Sequence, residues 1–202
     1  MNVYLIGDSI RMNSEAHVRQ RLNELSIISP PENCESSAKV RERIGEWVPA
    51  TTRDIVHINC GLHDIRYNPG SDCPVSTLHE YESNLHYIFD KLAKTGCHVI
   101  WATCTPIDER LHNTTKESRR YAVDLVKYND KSVYIATKFG FSINDLHSLV
   151  SAHGAEDLLL PDGLHFNAVG NELIGSAIAS AIRQHSESPN NSFKPTPLRG
   201  AA

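Results

Sequence analysis

The stretch Asn2-Val3-Tyr4-Leu5-Ile6-Gly7-Asp8-Ser9 decides how this chain is read. Residues 2–6 read as a short buried strand. Gly-Asp-Ser ends it in a sharp turn that presents a hydroxyl just past the strand's carboxyl end. In an open parallel sheet that edge is where ligands bind. A serine there becomes a nucleophile only when a base and an orienting acid come within hydrogen-bond reach. Asp162-Gly163-Leu164-His165 offers such a pair near the other end of the chain, and Gly61-Leu62-His63-Asp64 follows an apolar strand in the middle. Three polar turns, each following a strand, meet in one place if the strands are parallel neighbours.

Outward from Ser9, Val18, Leu22 and Leu25 recur at the spacing of an amphipathic helix. Residues 25–29 read as a second strand, stopped by Pro30-Pro31. The polar loop 32–37 offers a serine to cap the next helix, whose stripe is Val40, Ile44, Trp47 and Val48. Residues 54–60 form a third strand, apolar nearly throughout, as suits a strand covered on both faces. The longest clear helix carries Leu78, Tyr81, Leu85, Ile88, Phe89 and Leu92, with Gly96 where a left-handed cap is usual. Residues 98–103 form a fourth strand. From there to Lys116 the chain is polar and expected to be irregular, and Arg119-Arg120 is expected on a solvated helix face. A helix then carries Tyr121, Leu125, Tyr128, Ile135 and Phe139 and stops at Gly140. A short fifth strand covers 141–144, and Asn167 caps a last helix.

Strands alternating with helices imply a parallel sheet with right-handed crossovers. The expected fold class is α/β, a three-layer αβα sandwich on a five-stranded parallel sheet in the order 2-1-3-4-5. That order puts the first strand at the topological switch point, beside the second and third. Residues 1–185 make one domain. Residues 186–202 lose all apolar periodicity, are rich in Pro, Asn and Ser, and are expected to be a disordered tail.

Composition excludes several classes. With 202 residues, 40% hydrophobic and 22% charged, the chain suits one globular domain with a real core. A formal charge of −4 gives no reason to expect nucleic acid or an anionic membrane as partner. The cysteines number five, and no two form Cys-x-x-Cys, which argues against a disulfide framework or a zinc ribbon. No apolar run approaches the length of a membrane span, and the chain opens on a strand rather than a secretory leader. A cytoplasmic location is expected, and the oligomeric state is open.

Ser9 needs a histidine to take its proton, and the histidine works best when a carboxylate fixes its tautomer. Asp162 and His165, three apart on a turn, can do both. Donors aimed at the developing oxyanion are the third requirement. Ser9 N–H, a backbone N–H from the loop after the second strand, and the side chain of His63 are candidates. Each motif alone has an ordinary structural reading as a turn or a cap; their joint placement on one sheet edge is what points to chemistry.

These residues resemble the SGNH, or GDSL-type, hydrolase superfamily of esterases and lipases on a flavodoxin-like sheet. Gly7-Asp8-Ser9 resembles its first block, with Ser9 as nucleophile. Asp162-Gly163-Leu164-His165 resembles its fifth, with Asp162 and His165 completing the triad. Gly61-Leu62-His63-Asp64 resembles its third, with His63 where the family usually has asparagine. The family's second-block glycine is missing, and Cys34 or Glu35 takes its place; Glu35 is taken as the second backbone donor. The resemblance implies a serine esterase acting on a small ester, such as an acetyl group, through an acyl-serine, with no metal or organic cofactor. An impaired binder of a carbohydrate-like ligand on the same fold is the alternative.

Overall fold

The computed structural model, which describes residues 1–186, builds its sheet around β1 (Asn2–Ile6). On one side β1 pairs with β2 (Ser26–Ile28), on the other with β3 (Ile55–Ile58), followed by β4 (His98–Ala102) and β5 (Ser142–Asn144). Every pairing is parallel, and the order is β2-β1-β3-β4-β5. The four inner positions of β1 and all of β3 are buried, which is why these segments are continuous apolar runs rather than alternating ones. The edge strand β2 is the more exposed, and it is short.

Right-handed crossovers fix the layers. Stepping from β1 to β2 runs opposite to the later steps, so α1 (Ser9–Arg21) lies on one face. On the other lie α2 (Ser37–Trp47), α3 (Leu78–Thr95) and α5 (Ala122–Lys138), packed side by side in that order. The last helix, α8 (Ala168–Ser186), packs on α1 and covers β3, β4 and β5. Its Ile174, Ile178 and Ile182 are buried, and Asn167 Oδ1 caps it by accepting from Gly170 N–H at 3.0 Å. On the opposite face Trp101 of β4 donates its indole N–H to Ser132 Oγ at 3.0 Å, and Phe89 stands edge-on to it at 5.0 Å. That contact ties α3 and α5 to one strand.

Gly96 ends α3 with φ 71°, the left-handed cap expected of it. Elsewhere the elements depart from expectation. α1 begins at Ser9 itself, and Leu25 lies beyond its end. The polar segment before Lys116 is not irregular: α4 (Glu109–Thr115) forms there, started by Asp108, whose carboxylate accepts from Leu111 N–H at 2.8 Å. Two more short helices, α6 (Leu146–Ala152) and α7 (Ala155–Leu158), fill the connection from β5 to α8. Arg120 is not on a solvated helix face; it precedes α5 and is 3% exposed. The proposed tail, apart from Ser186 at the end of α8, lies outside the described residues.

Candidate active site

Ser9 owes its position to the step from β1 to α1. A Cβ on Gly7 would come within 2.7 Å of Arg11 Cβ, so only glycine lets the strand turn this tightly into the helix. Asp8 is the N-cap and accepts from Ile10 N–H at 2.9 Å. Burial pushes the Asp8 carboxyl above its usual range, against the Ile10 bond and the charges of Arg120, His165 and Arg11. Ser9 is the first helical residue. Its N–H is one of the helix donors that no carbonyl within the helix reaches, at the positive end of the helix dipole.

Asp162 and His165 arrive on a tight loop pinned by Leu160 N–H to His165 O at 2.7 Å and Asn167 N–H to Leu158 O at 2.9 Å. At its apex Gly163 has φ 66°, and a Cβ there would lie 2.5 Å from Asp108 O and 2.7 Å from His112 N. One Asp162 oxygen accepts from the N–H groups of Leu164 and His165 at 3.1 and 3.0 Å; the other accepts from His165 Nδ1 at 2.7 Å. Burial would raise the Asp162 pKa, but these bonds outweigh it and hold the carboxylate at about 2. An ionised acid on Nδ1 fixes the proton there and leaves Nε2 as the acceptor. Nε2 lies 2.9 Å from Ser9 Oγ. The three residues predicted for the triad are therefore in hydrogen-bonded series.

The second and third turns also reach this edge. Asp64 is buried and accepts from Ser37 N–H at 2.9 and 3.1 Å and from Ser37 Oγ at 2.5 Å. It clamps the start of α2 to the loop after β3, and so does not pair with His63. Cys34 N–H donates to Gly7 O at 3.2 Å, tying the loop after β2 to the nucleophile turn. Glu35 has φ 55°, the left-handed region that glycine favours. Its N–H, however, donates to Asn33 Oδ1 at 2.8 Å. His63 Nδ1 is buried without a partner among the described residues.

Three residues of this edge carried no sequence signal. Arg11 donates through Nη2 to Pro30 O and Glu32 O at 3.2 and 2.9 Å and straps the loop after β2 to α1. Arg120 donates from Nε to Leu62 O at 2.7 Å and from Nη1 to His112 Nε2 at 2.7 Å. A guanidinium only donates, so His112 carries its proton on Nδ1 and gives it to the carbonyl of Asp162 at 3.1 Å. Residues 58 apart in sequence make the Arg120–Leu62 bond, and no local pattern announces it. Among the described residues no group of three or more His, Cys, Asp or Glu could hold a metal ion. No described helix is long and apolar enough to cross a membrane.

Acid to imidazole to hydroxyl, set on the carboxyl edge of a parallel sheet, is how an α/β serine hydrolase is laid out. The model of the GDSL-like lipase/acylhydrolase family matches residues 18–173, which hold His63, Asp162 and His165 and begin after Ser9. The chain belongs to that family, and with it to the serine hydrolases that act on esters. No curated protein matches the sequence. Among solved structures it is similar to the acetyl xylan esterase AlAXEase, at 18% identity and TM-score 0.73 over 90% of this chain and 100% of that one. It is also similar to a lipase/acylhydrolase from Enterococcus faecalis, at 19% identity and TM-score 0.73 over 98% and 100%. A third likeness is Axe2, an acetylxylan esterase from Geobacillus stearothermophilus, at 18% identity and TM-score 0.67 over 90% and 93%. These likenesses speak to the fold.

Proposed function

We propose that the protein hydrolyses a small carboxylic ester, such as an acetyl group on a sugar, through an acyl-serine. The observation that carries this is the unbroken series from Ser9 Oγ through His165 to Asp162, at 2.9 and 2.7 Å. His165 Nε2 takes the Ser9 proton as Oγ attacks the ester carbonyl, and Asp162 stabilises the imidazolium that forms. The imidazolium then gives its proton to the leaving alcohol. Water, activated by the same nitrogen, releases the acid in the second half. Ser9 N–H and His63 hold the oxyanion, with Glu35 N–H the third donor once it leaves Asn33. No step calls for a metal or an organic cofactor. The names of AlAXEase and Axe2 support an acetyl ester on a carbohydrate as the substrate class.

One observation favours a second reading, a binding protein that has lost turnover: the Glu35 N–H is already engaged with Asn33. A fluorophosphonate probe separates the two, because it labels only an activated serine. Labelling at Ser9 is expected, and Ser9→Ala is expected to lower ester hydrolysis by roughly 10³-fold or more while keeping the fold. Undiminished hydrolysis by a well-folded Ser9→Ala protein would overturn the mechanism.

A further inference from the structure

Arg120 bonds to no side chain of the triad, yet its hydrogen bonds lead to the two loops that must agree on where a reacting carbonyl sits. Nε donates to Leu62 O at 2.7 Å, one residue before His63. Nη1 donates to His112 Nε2 at 2.7 Å, and His112 Nδ1 continues the path to Asp162 O at 3.1 Å. Among the described residues no hydrogen bond joins residues 61–64 directly to residues 160–165, so the path through Arg120 is what spans them. The strut is itself fixed. Asn113 of α4 accepts from Arg120 N–H and donates to Arg120 O, each at 2.9 Å. Arg119 exchanges bonds with Tyr67 at 2.8 and 3.0 Å, which pins it to the chain just after the His63 turn. The start of α4 meets the acid's loop a second time, where Asp108 N–H donates to Gly163 O at 2.9 Å.

Arg120 and His112 are both buried, so these bonds do not compete with water. Burial, and then the charge of Arg66, lowers the Arg120 pKa to about 10, and the guanidinium stays charged at neutral pH. The buried carboxyl of Asp8, next to Ser9 in the chain, acts on it as the opposite charge. A guanidinium carries donors on different edges of one rigid plane and holds an acceptor on each. An ammonium donates from a single atom on a flexible stem and fixes no such spacing. We propose that Arg120 is a positioning residue of this site, a strut that sets the oxyanion turn of His63, through Leu62, against the loop of Asp162 and His165, through His112. Donor and base act on one carbonyl, and a misplacement of about 1 Å between them costs on the order of 10²-fold in rate. This inference rests on the esterase reading for what the spacing serves, but not for the existence of the strut.

The test is hydrolysis of p-nitrophenyl acetate, with kcat counted per serine that a fluorophosphonate titrates to completion. A purely structural role for Arg120 lowers the number of titratable serines and leaves kcat per serine unchanged. Arg120→Ala is expected to lower kcat per serine by roughly 10²-fold with little change in KM. Arg120→Lys, the variant to rely on if Arg120→Ala does not fold, is expected to lose roughly 10-fold or more. His112→Phe, which keeps a ring and removes both bonds, is expected to lose roughly 10-fold, while His112→Gln, whose amide still accepts and donates, keeps a larger share. The double variant Arg120→Lys with His112→Phe is expected to lose little more than the worse single variant, because both cut one path. Unchanged kcat per serine in the Arg120 variants that fold overturns the proposal, as do losses that multiply in the double variant. Failure of the esterase reading shows elsewhere, as absent fluorophosphonate labelling of the unaltered protein.

Discussion

Burial, with the charges of Arg120 and Arg66, lowers the pKa of His63 to about 4, so the ring is neutral across the working range. A neutral imidazole keeps one N–H, and a donor aimed at the tetrahedral oxyanion binds the transition state better than the ground-state carbonyl. His63→Ala is therefore expected to lower kcat by roughly 10²-fold with little change in KM, while His63→Asn retains a substantial share. Because the ring does not titrate there, the ratio of wild-type to His63→Asn turnover is expected to stay flat between about pH 5 and 8. Full turnover with a lowered melting temperature in His63→Ala would remove His63 from the site. At this scale Ser9, Asp162 and His165 were legible because each sits in a short motif just past a strand or just before a helix. Arg11, His112 and Arg120 were not. Their meaning lies in partners brought together only by the completed sheet, and a buried arginine looks the same in sequence as an exposed one.

Elements position the site through two joints. Asp64 holds the start of α2, and its loss leaves the Ser37 N–H and hydroxyl buried without an acceptor. Asp64→Ala is expected to destabilise the protein by about 3 kcal/mol in denaturant melts. The other joint is the loop of Asp162 and His165 against α4. A methyl at position 163 meets backbone atoms of Asp108 and His112, which cannot swing aside like a flexible side chain. Gly163→Ala is expected to cost about 1–3 kcal/mol in strain. It is also expected to lower kcat by roughly 10-fold or more, because the loop relieves the clash only by moving the triad. Wild-type kcat in a destabilised Gly163→Ala protein would mean that the loop is not rigidly coupled to α4. The strands, the long helices and the strand order were readable from apolar runs and the rule of right-handed crossovers. The joint was not, because α4 has too few turns to show a stripe and announces itself only through the Asp108 cap.

For the whole molecule, the histidines set the acid limit. Burial holds His57 at about 4, and burial with the neighbouring His185 holds His98 at about 4, as burial first does for His63. The unfolded chain, with histidines near 6.5, takes up these protons first as the pH falls. Stability is thus fully present above about pH 6.5, declines toward pH 4 and levels off below that, with His57 alone worth about 3 kcal/mol. Asp162, held at about 2, acts in the same sense in a lower window: its contribution is present above its unfolded value of 3.8 and fades as the pH falls through 2. Melting temperatures between pH 7 and 4 are expected to fall, and His57→Gln to flatten the slope by one proton. An unchanged slope would mean that His57 titrates alike in the folded and the unfolded chain.

Oγ of Ser9 and Nε2 of His165 meet across 156 positions of chain, with α1 of the first turn packed on α8 of the last. During synthesis the serine leaves the ribosome long before its base exists, and every shorter nascent chain carries an inert hydroxyl. Domains close as units, so the reactivity proposed for Ser9 is expected to switch on in one step, when α8 docks. An acyl-transfer probe added to stalled translation products would read that step directly, as a clock for the completion of folding.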